Sequence, residues 1–285
     1  MKNILLLLVT FLLSANAFAQ TKTDLQKLIV NDTIFEVVAA AKGMKAAFTE
    51  FQADDGVVFN PASLRGNLFW SNAKELPAVL VWKTSRADVS STGNFGYTTG
   101  GWESRANGKA DKTATFGQYV TVWKKQPDGD FKIVLDIGVP FGKSVVKQMP
   151  DAPKDAGTGE KSPKSKIDLG TLTDIFSKKS LSQGYFNYLA DDALVLRDDY
   201  QPIYGRKQAF VELEKLDKTF PPDGFLEFQA SISPNYGNMM AAWGIYQLKQ
   251  KDNSIKKWNF LQMWKFRDGK WQIVVDVLTP VKNKM

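Results

Sequence analysis

The sequence predicts an α+β fold built as two tandem modules, each with helices packed on one face of a curved antiparallel sheet. Three observations carry that prediction. The chain repeats itself: Trp123-Lys124-Lys125 leading to Asp128-Gly129 and Ile133-Val134-Leu135-Asp136 returns as Trp264-Lys265-Phe266 leading to Asp268-Gly269 and Ile273-Val274-Val275-Asp276. Ala53-Asp54-Asp55 before an apolar run likewise returns as Ala190-Asp191-Asp192, at nearly the same separation. Register kept over so much chain marks two copies of one unit. Within each copy, apolar residues recur first at helical spacing and then at strand spacing, the order of an α+β module.

The elements follow from the N-terminus. Lys2, the apolar run Ile4–Leu13 and Ala17-Phe18-Ala19 before Gln20 form a positive n-region, an h-region and a small-x-small cleavage site. Residues 1–19 therefore read as a removable signal peptide, too short in its apolar run to span a bilayer comfortably. No cysteine stands near the cleavage point, so a lipoprotein anchor is excluded. The mature protein is expected to be exported, periplasmic or secreted, without a stable membrane anchor.

The first module covers 20–148. Leu25, Leu28, Ile29, Ile34, Val37, Val38, Met44 and Phe48 have mostly helical spacing, with Gly43 placed to split the run in two. Residues 149–166 are rich in Pro, Gly, Asp and Lys and almost free of apolar side chains, the composition of a flexible linker. The second module covers 167–285. It opens on Leu172, Ile175, Phe176, Leu181, Tyr185 and Leu189, and Ala209, Phe210, Leu213 and Leu216 mark a further helix. After Gly66 the matching stretch of the first module is shorter, so the copies diverge there. Strands follow over 225–233, 239–248, 258–266 and 271–277, and Asp-Gly tolerates the positive φ of the tight turn before the last of them.

Composition excludes much chemistry. The chain has no histidine and no cysteine, which removes Ser-His-Asp and Cys-His machinery, ordinary zinc sites, histidine-ligated haem and disulfides. Acid–base work must fall to Asp, Glu, Lys or Tyr. The net charge of +7 is carried in good part by Lys154, Lys161, Lys164 and Lys166 in the linker. Nucleic-acid binding would need a basic face on a fold, so no nucleic-acid partner is expected. No Gly-rich phosphate loop, Gly-x-Ser-x-Gly elbow or metal-spaced carboxylate cluster occurs, and neither cofactor nor metal is expected.

The order helix, Ala-Asp-Asp with an apolar strand, Phe95-Gly96-Tyr97-Thr98-Thr99-Gly100-Gly101-Trp102, then Trp-Lys to Ile-Val-Leu-Asp resembles the nuclear transport factor 2-like superfamily, and within it the SnoaL-like proteins of unknown function, here in two tandem copies. The resemblance implies cone-shaped modules, but that fold hosts isomerases, cyclases, dehydratases, hydrolases and pure binding domains. The ketosteroid isomerases among them place a base Asp where this chain resembles Asn60-Pro61 and, in the second copy, Arg197-Asp198. Neither Asn60 nor Arg197 abstracts a proton at neutral pH. A His–Asp dehydratase pair cannot be assembled here at all.

Asp136 and Asp276 sit at equivalent places on the last strand of each module. On a regular strand they share a face with Val134 and Val274. If that face lines the cone, each is a carboxylate in an apolar pocket with a raised pKa, fit for a general base. The alternative is that each bonds a nearby N–H or Lys and holds the strand end. Tyr97 is a candidate acid or oxyanion donor. Tyr119, Trp102, Asn60, Tyr246 and Trp243 are candidates for lining a ligand pocket, against a plain packing role. Asp54-Asp55 and Asp191-Asp192 read as helix-to-strand turns rather than carboxylate pairs.

Three functions follow for test: binding a small apolar or amphipathic molecule in a cone-shaped pocket; a weak lyase, isomerase or hydrolase using Asp and Tyr; or a structural pseudo-dimer with unused pockets, its modules paired in one chain or the chain paired as a homodimer.

Overall fold

The computed structural model describes residues 2–141, 167–177, 180–218, 224–232, 237–249 and 252–281. Expectations that fall on 149–166, the linker stretch, lie outside them. Helix α1 (Lys2–Lys42) ends where Gly43 takes φ 86°, and α2 (Met44–Phe51) starts afresh beyond it. Glycine adopts that positive φ without steric cost, so the helix breaks at this residue and folds back.

Six strands follow in the first module: β1 (Gln52–Phe59), β2 (Ser63–Arg65), then, after α3 (Gly66–Asn72), β3 (Val79–Val89), β4 (Phe95–Arg105), β5 (Thr115–Lys125) and β6 (Phe131–Phe141). The second module repeats the plan with α4 (Leu169–Ser177), α5 (Leu181–Phe186), β7 (Leu189–Arg197), β8 (Ile203–Tyr204), α6 (Arg206–Asp217), β9 (Gly224–Ile232), β10 (Met239–Lys249), β11 (Ile255–Arg267) and β12 (Lys270–Pro280). Among the described residues the two sheets have matching orders, β2-β1-β6-β5-β4-β3 and β8-β7-β12-β11-β10-β9. The fold is thus α+β in two like modules, and the divergence after Gly66 is the seven-residue α3 against the twelve-residue α6.

One expectation needs correcting. The sheets are mixed rather than wholly antiparallel, because β1 pairs parallel with β6 and β7 parallel with β12. The first strand of each module joins the last across a helix-containing connection, which is what a parallel neighbour requires.

A second correction concerns strand parity. In β6, Val122 pairs with Leu135 but Trp123 pairs with Ile133, so Val134 is an extra, bulged residue. Val274 is the matching extra residue in β12, where Met263 pairs with Val275 and Trp264 with Ile273. A bulge inverts the alternation beyond it. Asp136 therefore shares the helix-facing side with Ile133, while Val134 packs with Leu135 and Ile137 in the other apolar cluster.

On the helix side of the first sheet, Leu28 and Phe35 of α1 and Phe48 and Phe51 of α2 bury against Trp123, Phe131 and Ile133. The other cluster runs through both modules, joining Phe95, Tyr97, Val120, Val122, Leu135 and Val139 to the core of the second. The modules also exchange polar contacts. Lys265 grips both carboxylate oxygens of Asp88 at 2.6 and 2.7 Å, and Arg267 reaches Asp88 and Asp192. Arg86 donates to the Asp192 backbone at 2.7 Å and to its carboxylate at 2.9 Å. Asn238 Oδ1 accepts from the Ser91 N–H at 2.8 Å, and Asp199 donates its N–H to Pro140 at 3.0 Å. Burial drives the Lys265 pKa down, and Asp88 opposes that shift. The Asp191-Asp192 pair, read as a turn, lies in β7, where Asp192 ties the modules together.

Candidate functional site

The helix side of the first sheet holds a small pocket, with a cavity volume of about 40 Å³. Phe35, Met44 and Phe48 come from the two helices, Leu80 and Trp82 from β3, Trp102 from β4, Tyr119 and Thr121 from β5, and Asp136 from β6. Its walls are set by aromatic packing before any ligand enters. Phe35 lies edge-on to Phe48 at 5.0 Å and tilted to Trp82 at 4.9 Å, and Trp82 meets Tyr119 at 6.2 Å. Trp102 keeps its place because Gly117 stands opposite it on β5: a side chain at 117 would overlap the indole.

The floor is polar. Asp136 accepts from the Thr121 hydroxyl at 2.7 Å, and burial with the nearby Asp32 charge raises its pKa to about 7. Beneath it, Asp32 is fully buried on α1 and accepts from Tyr119 Oη at 2.5 Å and from the Thr84 hydroxyl. Thr98 and Trp82 flank it more loosely, and Oδ1 is left without a hydrogen-bonded protein partner. Burial raises the Asp32 pKa against the opposing hydroxyls. Burial likewise pushes Tyr119 well above its ordinary value, and Asp32 adds to that shift. No Lys or Arg lines this pocket.

Asp136, Tyr119 and Trp102, three of the residues singled out from the sequence, thus converge here. Asp32 was missed. The signal was present, since Leu28, Asp32, Phe35 and Ala39 fall at i, i+4, i+7 and i+11, and a carboxylate on the core stripe of a helix is anomalous.

Other candidates lie elsewhere. Tyr97 is on the opposite face of β4 from Trp102, buried between modules near Arg86 and Asp88, and its hydroxyl is pushed up to about 12 by burial. Asn60 lines a different pocket at the module junction, with Pro61, Ile137, Pro140, Asp198 and Asn259. The chain leaves β1 at Phe59, which carries Asn60 away from the cone. Tyr246 takes the place of Trp102 in the second sheet and stacks on Phe176 at 5.3 Å. Trp243, an odd number of residues from Tyr246 along an unbroken β10–β11 ladder, points to the other face.

Asp276 is fully buried, 2.6 Å from Arg197 Nη2, and accepts from Gln262 Nε2 at 3.0 Å. The Arg197 contact is a charge contact rather than an aligned hydrogen bond. The Arg197 guanidinium lies 5.5 Å from the Tyr185 ring centroid. This carboxylate has a cation and an amide as partners where Asp136 has a hydroxyl. Among the described residues, no cluster of carboxylates has metal-holding geometry. No described helix is long and apolar enough to cross a membrane.

No family model and no curated protein matches the chain. Solved structures do. A candidate ketosteroid isomerase from Parabacteroides distasonis is 13% identical, with 40% of this chain and 85% of that one covered at a TM-score of 0.35. A nuclear transport factor 2-like protein of unknown function from Shewanella oneidensis is 11% identical, with 39% and 92% covered at 0.32. A protein of unknown function with a cystatin-like fold from Nostoc punctiforme is 11% identical, with 39% and 84% covered at 0.33. Each match has the extent of one module; the repeat of the plan is read from the matching strand orders.

Proposed function

We propose that the first module binds a small amphipathic molecule, its apolar body against the aromatic walls and its polar end on the floor at Asp136. The observation that supports this most is the pocket's composition. Six apolar side chains surround three converging polar ones, the common make-up of small-molecule sites. The second module has the structural role. Its equivalent carboxylate is neutralised within the chain by Arg197, and its outer face supports the first module's sheet. The N-terminal segment supports an exported protein, with a mature N-terminus at Gln20.

Mass spectrometry of small molecules carried by the natively purified protein tests the binding reading. A bound species is expected in the parent protein and lost from Trp102→Ala. A parent protein that carries nothing, and whose tryptophan emission is unmoved across a small-molecule library, would sink it.

One observation favours a second reading, proton transfer. Asp136, its pKa raised to about 7, exists in both protonation states near neutrality, a few side chains from a phenol held by a carboxylate. Turnover would then require Asp136 in either state as acid or base, and loss of all activity in Asp136→Asn would be its mark.

A further inference from the structure

The hydrogen-bonding sense of the pocket floor narrows the ligand further, and the narrowing rests on the binding reading above. Each hydroxyl there has one proton to donate. The Tyr119 proton is engaged with Asp32 Oδ2 at 2.5 Å, the Thr84 proton is directed at the same oxygen, and the Thr121 proton is engaged with Asp136 Oδ2 at 2.7 Å. Of these three, Tyr119 and Thr121 line the cavity, and with their protons engaged they are left with lone pairs to accept. With the Asp136 carboxylate beside them, the floor is a set of acceptors. Behind it lies buried Asp32, and no Lys or Arg lines the pocket to offset an ionised Asp136. The walls include the aromatic rings of Phe35, Phe48, Trp82 and Trp102. Aromatic faces attract cations, most strongly where water is excluded.

We infer that the pocket takes a small protonated amine, its ammonium N–H groups donating to Asp136 and to the Tyr119 and Thr121 oxygens, its alkyl or aryl body lying against Trp82, Trp102, Phe35 and Phe48. A neutral acceptor such as a ketone would meet lone pair against lone pair unless Asp136 carried a proton. A cation meets every group on the floor once Asp136 is ionised. The second module underlines the point from within the chain, because there the equivalent carboxylate is met by a guanidinium, Arg197, over an aromatic ring, Tyr185. The first module has Asn60 at the corresponding place, turned to the junction pocket, and leaves the cationic position to a ligand.

Linkage sets the pH dependence. The titratable groups facing Asp136 are Asp32 from α1 and Tyr119 from β5; Thr121 and the aromatic walls do not titrate in the working range. An ammonium ion favours ionised Asp136, so amine affinity should rise from pH 6 to pH 8 and level off above the carboxylate's pKa of about 7.

The test compares benzylamine with benzyl alcohol, a neutral molecule of the same size, by calorimetry and tryptophan fluorescence on the full chain at several pH values. Benzylamine is expected to bind roughly tenfold more tightly at pH 8, and the preference should shrink toward pH 6. In Asp136→Asn the preference for benzylamine over benzyl alcohol should vanish. Equal binding of the two at every pH overturns the amine inference and leaves the binding reading standing. Binding of neither overturns both. Should Asp136→Asn fail to fold, the comparison in the parent protein decides alone, since a flat pH profile for benzylamine is enough to reject the inference.

Discussion

Asp136 and Asp276 occupy the same place on the same strand of the same fold, two residues beyond the same bulge, and have opposite surroundings. Thr121 and Gln262 stand across from them in matching register. Asn60, just after β1, and Arg197, the last residue of β7, hold the matching position, but Arg197 turns inward onto its carboxylate and Asn60 turns out to the module junction. Two substitutions thus separate an internally neutralised carboxylate from one that faces an aromatic pocket. A repeat can keep a fold while one copy gives up the site, because the backbone plan depends on the apolar pattern and the site on a few polar positions.

The largest effect that would break this comparison is expected in the second module. Arg197→Leu leaves Asp276 charged and buried without its cation, and should destabilise the protein by about 3–5 kcal/mol in urea unfolding. A loss below about 1 kcal/mol would mean that Gln262 alone suffices and that the two aspartates are in the same situation after all.

In the first module the sign should reverse. Asp136 has a folded pKa of about 7 against an unfolded value near 4, so the folded state holds its proton more tightly between those limits. Stability from this group is full below about pH 4, declines as pH rises toward 7, and stays at its minimum above. The decline should be roughly 2–4 kcal/mol. Asp136→Asn should reduce that slope to what Asp32 supplies and leave a protein more stable than the parent at pH 8. Unfolding curves from pH 4 to 8 for both proteins check this; a parent whose stability does not fall over that range would contradict the burial argument.

The smallest effect sharpens the picture of the floor. Tyr119→Phe removes one hydroxyl from buried Asp32 and should cost about 1–2 kcal/mol, with Thr84 still in place. Thermal unfolding reads the loss. An unchanged midpoint would show that Asp32 is neutral in the folded protein and has little need of the phenol.

Much of the fold was legible. Gly43 announced the break between α1 and α2, the Asp128-Gly129 and Asp268-Gly269 turns placed the last hairpins, and Trp123 and Trp264 marked equivalent strands. The parallel pairing of β1 with β6 was not legible, because a strand's own alternation does not say which neighbour it meets. Asp136, Tyr119 and Trp102 could be named as candidates from residue type and position. Their meeting at one pocket could not, since it depends on the bulge at Val134, which looks like any other apolar residue in the run Ile133-Val134-Leu135. Tyr97 and Trp243 were placed on the ligand side by residue type, and the parity of β4 and β10 puts them on the other.

By itself, then, the sequence determined the recurring motifs, the helix-then-sheet order of each module and the exclusion of histidine and cysteine chemistry, because periodicity, turn residues and composition act locally and need no knowledge of what packs on what. Only the tertiary structure decided that Asp32 meets Tyr119, that Asp136 stays without a cation while Asp276 has Arg197, and that Asp88, Lys265 and Arg267 join the two modules. Those contacts are between residues far apart in the chain. Their energies depend on burial and on which charges come within a few ångströms, and both exist only once the sheets have folded and packed.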